Sequence, residues 1–287
     1  MRGRIAILTP DSASEGFRTR WPEVLEDNAA PLRAAGLAVE GRDWAAAQDL
    51  ADFDLVLPLL AWGYPSAPEQ WLAATRRWEA QGARLENPPA VLRWNMDKAY
   101  LGALAARGAP VVPTRYVERI TVETLAEAAD GFGTDRVVAK PRISSSGWRT
   151  IRWSRGETAE GGPRGAAMVQ PYLCAIETEG EVSLFYFGGR YSHSVSKRPR
   201  PGDFRVQPEF EGIIRSHAPA PDEREAADRV LAAVDETLLY ARVDLVRGQN
   251  GKPQLIELEL IEPDLYLVHA ADRGAAFARA VMDRIAR

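Results

Sequence analysis

The stretch RVDLVRGQNGKPQLIELELI, residues 242–261, decides the fold. Asn250-Gly251 sits between two apolar runs. That dipeptide accepts the positive φ angles of a tight hairpin turn, so Arg242–Val246 and Gln254–Ile261 are expected to pair as antiparallel strands. Side chains alternate along a strand, which puts Arg242, Asp244 and Val246 on one face and Glu257 and Glu259 on one face of the partner. Leu255 and Ile261 flank the glutamates on their own face, and Ile256, Leu258 and Leu260 point the other way. Burying several uncompensated carboxylates is very costly. An oxygen-rich cluster suits a hard divalent cation such as Mg²⁺, while a solvated acidic edge strand is the simpler alternative. Both readings stand on the pattern alone.

Working outward, two lysines stand upstream. Lys98 is expected in the first turn of a helix over Asn95–Arg107, where the helix dipole disfavours a cation unless a phosphate or neighbouring Asp97 compensates. Lys140 ends the apolar run Val137-Val138-Ala139 and needs an anionic partner. It leads into Ile143-Ser144-Ser145-Ser146-Gly147-Trp148, whose small residues let backbone N–H groups and hydroxyls surround a phosphate, or form an ordinary loop. The glycine-rich segment at 161–165 reads as a second loop.

The remaining pattern sets the architecture. Ile5–Leu8 and Leu55–Leu60 read as strands, with Pro58 marking an edge or an end. Glu23–Ala35 and Pro68–Gln81 read as helices, the second with Ser66 as its cap. This is a small α/β layer. After Pro110 a helix near Val122–Ala129 precedes short strands at Arg136–Lys140, Arg149–Trp153, Ala167–Gln170, Glu181–Phe187 and Tyr191–Ser196. Helices at Glu223–Thr237 and from Arg273 onward frame the hairpin. The expected class is α/β with α+β lobes, divided at 1–92, 93–170 and 171–287.

Composition narrows the function. A net charge of −4 gives no electrostatic footprint for nucleic acid. No apolar run approaches the ~20 residues that span a bilayer, and no signal-peptide core follows Met1. Cys174 is the single cysteine, so a reducing, cytoplasmic setting is expected. Gly-Lys-Ser/Thr and Gly-x-Ser-x-Gly motifs are absent. His193, His217 and His269 lie far apart in sequence, which leaves a zinc site or a serine triad with little support.

The order of these features resembles the ATP-grasp superfamily, which includes glutathione synthetase, D-alanine–D-alanine ligase and the RimK-type glutamate ligases. The ordered set is Lys98, Lys140-Pro141 with its small-residue loop, Met168-Val169-Gln170-Pro171-Tyr172-Leu173, Gly180-Glu181, Arg242-Val243-Asp244 and Glu257-Leu258-Glu259, and it covers roughly Asn87 to Val268. The resemblance implies a pre-ATP-grasp α/β domain and two lobes clasping ATP. It implies that Lys98 and Lys140 contact nucleotide phosphates, and that Ser144, Ser145, Ser146 and Gly147 cover them. Gln170, Pro171, Tyr172 and Leu173 would read the adenine, and Glu181 would reach the ribose. Asp244, Glu257 and Glu259 would ligate Mg²⁺, with Mn²⁺ as a substitute. Lys197, Arg205 and Arg242 would stabilise the transferred phosphate and the intermediate. Glu259 stands where relatives commonly carry Asn. The implied reaction joins a small carboxylate to an amine through an acylphosphate. Alternatives are cyclo-ligation of the D-cycloserine-forming type in antibiotic biosynthesis and a non-catalytic nucleotide-binding regulator. A homodimer is compatible with either enzyme.

Overall fold

A computed structural model describes residues 3–10, 20–200, 206 and 212–287. The N-terminal layer runs β1 (Arg4–Thr9), α1 (Trp21–Ala34), β2 (Ala38–Asp43), β3 (Leu55–Leu57) and α2 (Pro68–Ala80). Its strands pair in parallel in the order β2-β1-β3. Ile5, Ala6, Ile7 and Leu8 are all fully buried, as an unbroken apolar strand in a parallel sheet must be. Pro58 stands just past the end of edge strand β3. The edge strand β2, Ala-Val-Glu-Gly-Arg-Asp, carries no apolar run that would announce it. Ser66 does not cap α2. Ala67 holds the cap position without a side-chain bond, and Pro68 opens the helix instead.

The helix expected over Asn95–Arg107 is broken into α3 (Pro89–Asn95) and α4 (Tyr100–Ala106). The Asp97 carboxylate accepts from the Ala99 N–H at 2.9 Å and from the Arg142 guanidinium at 2.9 and 2.6 Å. The Lys98 N–H turns to the Arg142 carbonyl. Bonds to Arg142, just past the end of a distant strand, replace the helical ladder, and Lys98 lands in the turn between two helices. Asp97 therefore pairs with Arg142 and not with its neighbour.

A four-stranded antiparallel sheet follows, built from β4 (Arg115–Val117), β5 (Arg136–Pro141), β6 (Ile151–Ser154) and β7 (Ala167–Pro171) in the order β4-β7-β5-β6. Helix α5 (Val122–Phe132) covers it, opened by a Thr121–Thr124 capping box and closed by Gly133 at φ 65°.

The third sheet contains β8 (Glu181–Phe187), β9 (Arg190–Arg198), β10 (Ile213–Ser216), β11 (Tyr240–Arg247) and β12 (Pro253–Glu259), reached from β7 through the short α6 (Ala175–Thr178). Its order is β10-β9-β8-β11-β12. Helix α7 (Pro221–Ala232) packs on one face, and ends five residues before the expected Thr237. Helix α8 (Ala275–Ile285) joins the other face. Leu184, Tyr186, Val243 and Leu258 share a core with α4 and α7. Phe185, Phe187 and Val195 share one with β1, α1 and α8. Along β8 the second face then changes character. Phe187 and Phe185 give way to Ser183 and Glu181, opposite Asp244 on β11 and Lys197 on β9. One strand thus runs from core into a charged cleft.

Two buried asparagines fasten the hairpin to the rest of the chain. Asn87 donates to the Tyr240 and Leu260 carbonyls, both at 2.9 Å, and accepts from the Leu239 N–H. Asn95 donates to Leu258 and accepts from Leu260. Arg242 pairs across from Glu259 and Asp244 from Glu257, as the alternation requires, but a bulge between Asp244 and Leu245 leaves Ile256 unpaired. Leu255 consequently joins the core with Leu258, and Ile256 turns to the cleft beside Val246. This reverses the expected faces of those two residues.

The histidines are placed by packing. His217 bonds Glu223 and His269 bonds Ser216. His193 stacks on Phe185 at 4.4 Å and meets the Leu265 carbonyl at 3.0 Å. Burial pushes its imidazole down to about 4. The open chain takes up this proton near pH 6.5, before the folded chain does. The stability that the neutral ring supports is therefore complete above about pH 6.5 and is lost as pH falls toward 4, by up to ~3 kcal/mol. The urea midpoint of the wild type should fall more steeply between pH 6.5 and 4 than that of His193→Phe. Parallel slopes would refute this.

Candidate active site

A cleft of about 510 Å³ opens between the three sheets, a size that fits a cofactor or small ligand. Its floor is the charged end of the five-stranded sheet. The Arg242 Nε donates to both Asp244 oxygens at 3.0 and 3.1 Å, and its Nη2 donates to Asp244 at 2.8 Å and to Glu259. Lys197 donates to Glu181 at 2.8 Å and to Asp244 at 3.4 Å. The Ser183 hydroxyl adds a further bond to Asp244. Burial opposes ionisation of Asp244, but Arg242, Lys197 and Ser183 together hold its carboxyl well below the usual range. Glu259 has weaker compensation. Burial, with Glu257 and Asp244 nearby and only Arg242 close against it, lifts its carboxyl to about 8.

Asp244, Glu257 and Glu259 can each offer one oxygen such that all three lie within 4.8 Å. Among the described residues no other group of His, Cys, Asp or Glu does so. The donor set is all oxygen and mutually repelling, which fits a hard divalent cation that would relieve the strain. Glu257 and Glu259 do stand on an edge strand, β12, and are half-buried, whereas Asp244 on the inner strand β11 is 1% exposed.

Lys98 lies 3.2 Å from Glu257 and donates to the Ser144 carbonyl. Lys140 also faces the cleft. It has no hydrogen bond or ion pair among the described residues, and burial beside Lys98 lowers its ammonium against the pull of Glu257. Ser144 is buried, with its hydroxyl donating to the Pro141 carbonyl, so it anchors the loop. Ser145, Ser146 and Gly147 line the opening, and Ser146 and Gly147 take φ of 49° and 64°. Arg149 reaches the Gly162 carbonyl at 3.2 Å, which joins the two loops that the sequence marked.

The opposite wall is apolar. Tyr172 and Leu173 cluster with Val112, Ile176, Val206 and Val246, with Val138 and Ile256 against them. Pro171 lines the same wall. The Gln170 amide donates to the Thr114 hydroxyl. Arg136 stands 4.3 Å from the Tyr172 ring centre and stiffens it. This wall suits a flat heteroaromatic ring. Arg205 lies outside the described residues. Sequence reasoning missed Val138, Val206, Val246 and Ile256, which carry no mark beyond hydrophobicity. It also missed Arg20, Glu262, Asp264 and Tyr266 at the other end of the cleft. The acidic Glu262-Pro263-Asp264 run after β12 was the available signal for two of them. Trp62 and Tyr64 line the cleft as well.

Comparisons with known proteins identify the family. Residues 5–87 match the family described as D-cycloserine synthetase DcsG, N-terminal domain. The cycloserine biosynthesis protein DcsG of Streptomyces lavendulae is 31% identical over 313 residues, covering 99% of both chains. A crystal structure of D-cycloserine synthetase DcsG superposes with a TM-score of 0.82 at 28% identity, covering 99% of this chain and 100% of that one. The ATP-grasp ligase PsnB, complexed with a minimal precursor, Mg and ADP, shares the fold at a TM-score of 0.67 and 16% identity, covering 98% and 97% of the two chains. With its likeness to DcsG running end to end at 31% identity, the protein belongs to the DcsG-like ATP-grasp ligases.

Proposed function

We propose that this cleft uses ATP to activate a carboxylate and joins it to an amine of a small substrate. The carrying observation is the convergence of Asp244, Glu257 and Glu259 with Lys98, Lys140, Lys197 and Arg242 beside one apolar wall. In this reading the chain divides at 1–92, 93–170 and 171–287, with ATP between the second and third segments and the substrate against the first.

A carboxylate resists attack because resonance stabilises it and oxide leaves poorly. Transfer of the γ-phosphoryl group gives an acylphosphate and ADP. The amine then attacks the carbonyl carbon, the C–O bond to phosphate breaks, and inorganic phosphate leaves as the nitrogen loses a proton. Pro171, Tyr172 and Leu173 seat the adenine, and Glu181 faces the ribose. Lys140 and Lys98 hold phosphates, with Ser145, Ser146 and Gly147 over them. Arg242 and Lys197 present fixed positive charge to the growing oxyanion, where a well-aimed donor contributes ~3–4 kcal/mol. Arg205 is assigned the same task. Mg²⁺ held by Asp244, Glu257 and Glu259 would neutralise phosphate charge, and Mn²⁺ takes the same oxygen ligands. The joined loops at 145–149 and 161–165 exclude water, which would hydrolyse an acylphosphate.

The end-to-end relative supports a second reading of the same chemistry. There the amine and the carboxylate belong to one molecule, and the product is a ring of a natural-product pathway. Among the described residues no helix is long and apolar enough to cross a membrane, and a cytoplasmic setting, where ATP is supplied, fits the proposed reaction.

One screen tests both readings. With ATP, Mg²⁺ and pools of amino acids and their derivatives, phosphate release should accompany a new product. A product mass summing two substrates less water marks condensation, and loss of water from one substrate marks cyclisation. No phosphate release with any pool would sink the proposal. Glu257→Gln should lower ADP formation by about 10²-fold or more with an unchanged circular-dichroism spectrum. Lys140→Met should weaken ATP binding by about 10- to 100-fold while leaving the thermal midpoint unchanged or higher, because a half-buried cation without a partner is removed. A lowered midpoint with normal ATP affinity would refute its phosphate role.

A further inference from the structure

The charges that line the cleft nearly all answer one another. Arg242 answers Asp244 and Glu259, Lys197 answers Glu181, Lys98 answers Glu257, and Arg20 answers Asp264. Among the described residues two are left over. Lys140 is one, and the nucleotide phosphates account for it. The other is Glu262, a carboxylate facing the cleft with no hydrogen bond and no ion pair. The Tyr64 hydroxyl lines the cleft too. Its residue is 6% exposed, and among the described residues the hydroxyl has no hydrogen-bond partner. Tyr64 is fixed by its ring against Trp71, at 5.1 Å between centroids. Of the carboxylates near that hydroxyl, Glu262 acts on it most strongly.

A carboxylate and a hydroxyl that line the same cleft, neither with a partner among the described residues, offer a cradle for a cation with several N–H donors. A metal does not suit it. Glu262 joins no set of three ligating groups within 4.8 Å, unlike Asp244, Glu257 and Glu259. Lys98 and Arg242 are the cations that act on Glu262, and both are held by the metal-site carboxylates. Lys140 is not among the cations that act most on Glu262. A nucleotide at Lys140 leaves Glu262 to the other reactant.

We infer that Glu262 and the Tyr64 hydroxyl seat the ammonium group of an amino-acid-like substrate at the end of the cleft remote from the nucleotide. This rests on the carboxylate–amine reading above and adds to it the recognition of a cationic amino group. Held by that group, a small zwitterion has Lys98 and Arg242 as the fixed positive charges closest to its carboxylate. Burial and the neighbouring Glu259 push the Glu262 carboxyl well up, and an ammonium entering this end supplies the opposite charge that holds it ionised.

The test uses the full chain with ATP, Mg²⁺ and the most active amino acid or derivative from the screen, with its 2-hydroxy analogue as competitor. Glu262→Gln keeps the side-chain shape and removes the charge. It should raise the KM for the amino substrate by about 10- to 100-fold and leave the KM for ATP and the half-saturating Mg²⁺ unchanged. The wild type's preference for the amino compound over the hydroxy analogue should collapse in this variant. Tyr64→Phe should raise the same KM by a smaller factor. An unchanged amino-substrate KM, or a retained preference, overturns the inference. A shifted Mg²⁺ requirement overturns it as well, by making Glu262 a metal ligand. If the wild type releases no ADP with any pool, the ligase reading itself fails and carries this inference with it.

Discussion

Asp244 must stay ionised in a place where water barely reaches it. That constraint organises the molecule. A buried carboxylate persists only when paired and hydrogen-bonded, and Asp244 draws Arg242 from its own strand, Lys197 from β9 and Ser183 from β8. The contacts from Lys197 and Ser183 fix strand registers, since a slip of one residue would turn the whole charged set to the opposite face. The network therefore holds three strands in phase. It also explains the position of the apolar residues. Phe185 and Phe187 seal the same face further along, so that the charges meet a ligand at one end and core at the other.

The hairpin and its charges were legible because their signals are local. Asn250-Gly251 names the turn, and alternation places Arg242 with Asp244 and Glu257 with Glu259. Strand β8 ends where the sequence says, because apolar Val182–Phe187 is bounded by Gly180 and by Gly188-Gly189. What was hidden depends on distant partners. Strand β2 is polar and owes its form to pairing with β1. Strands β4 and β10 are short edge strands with little pattern of their own. The turn at Lys98 exists because Arg142, far along the chain, claims the bonds that a helix would use. The exchange of Leu255 and Ile256 depends on a bulge, which period-two reading cannot see.

The site followed the same division. Charged residues on the hairpin and on the two lysine-bearing segments were visible as oddities in apolar surroundings. The apolar wall was not, because Val138, Val206 and Val246 look like any core valine. Glu262 lay just beyond the last strand, outside any alternating pattern. Only the account of which charges have partners sets it apart from Asp264, two residues on, whose charge Arg20 already balances.

The bulge on the hairpin has a consequence for how this enzyme can vary. Before it, β12 faces the cleft with an oily residue. After it, the same strand faces the cleft with acids, and the alternation is out of step between the two. In the proposed reading, ring recognition and metal recognition would be written in separate frames on one strand. A substitution at Ile256 would reshape the apolar wall while Leu255 still fills the core and Glu257 still faces Asp244. The wall could drift through small changes without moving the carboxylates.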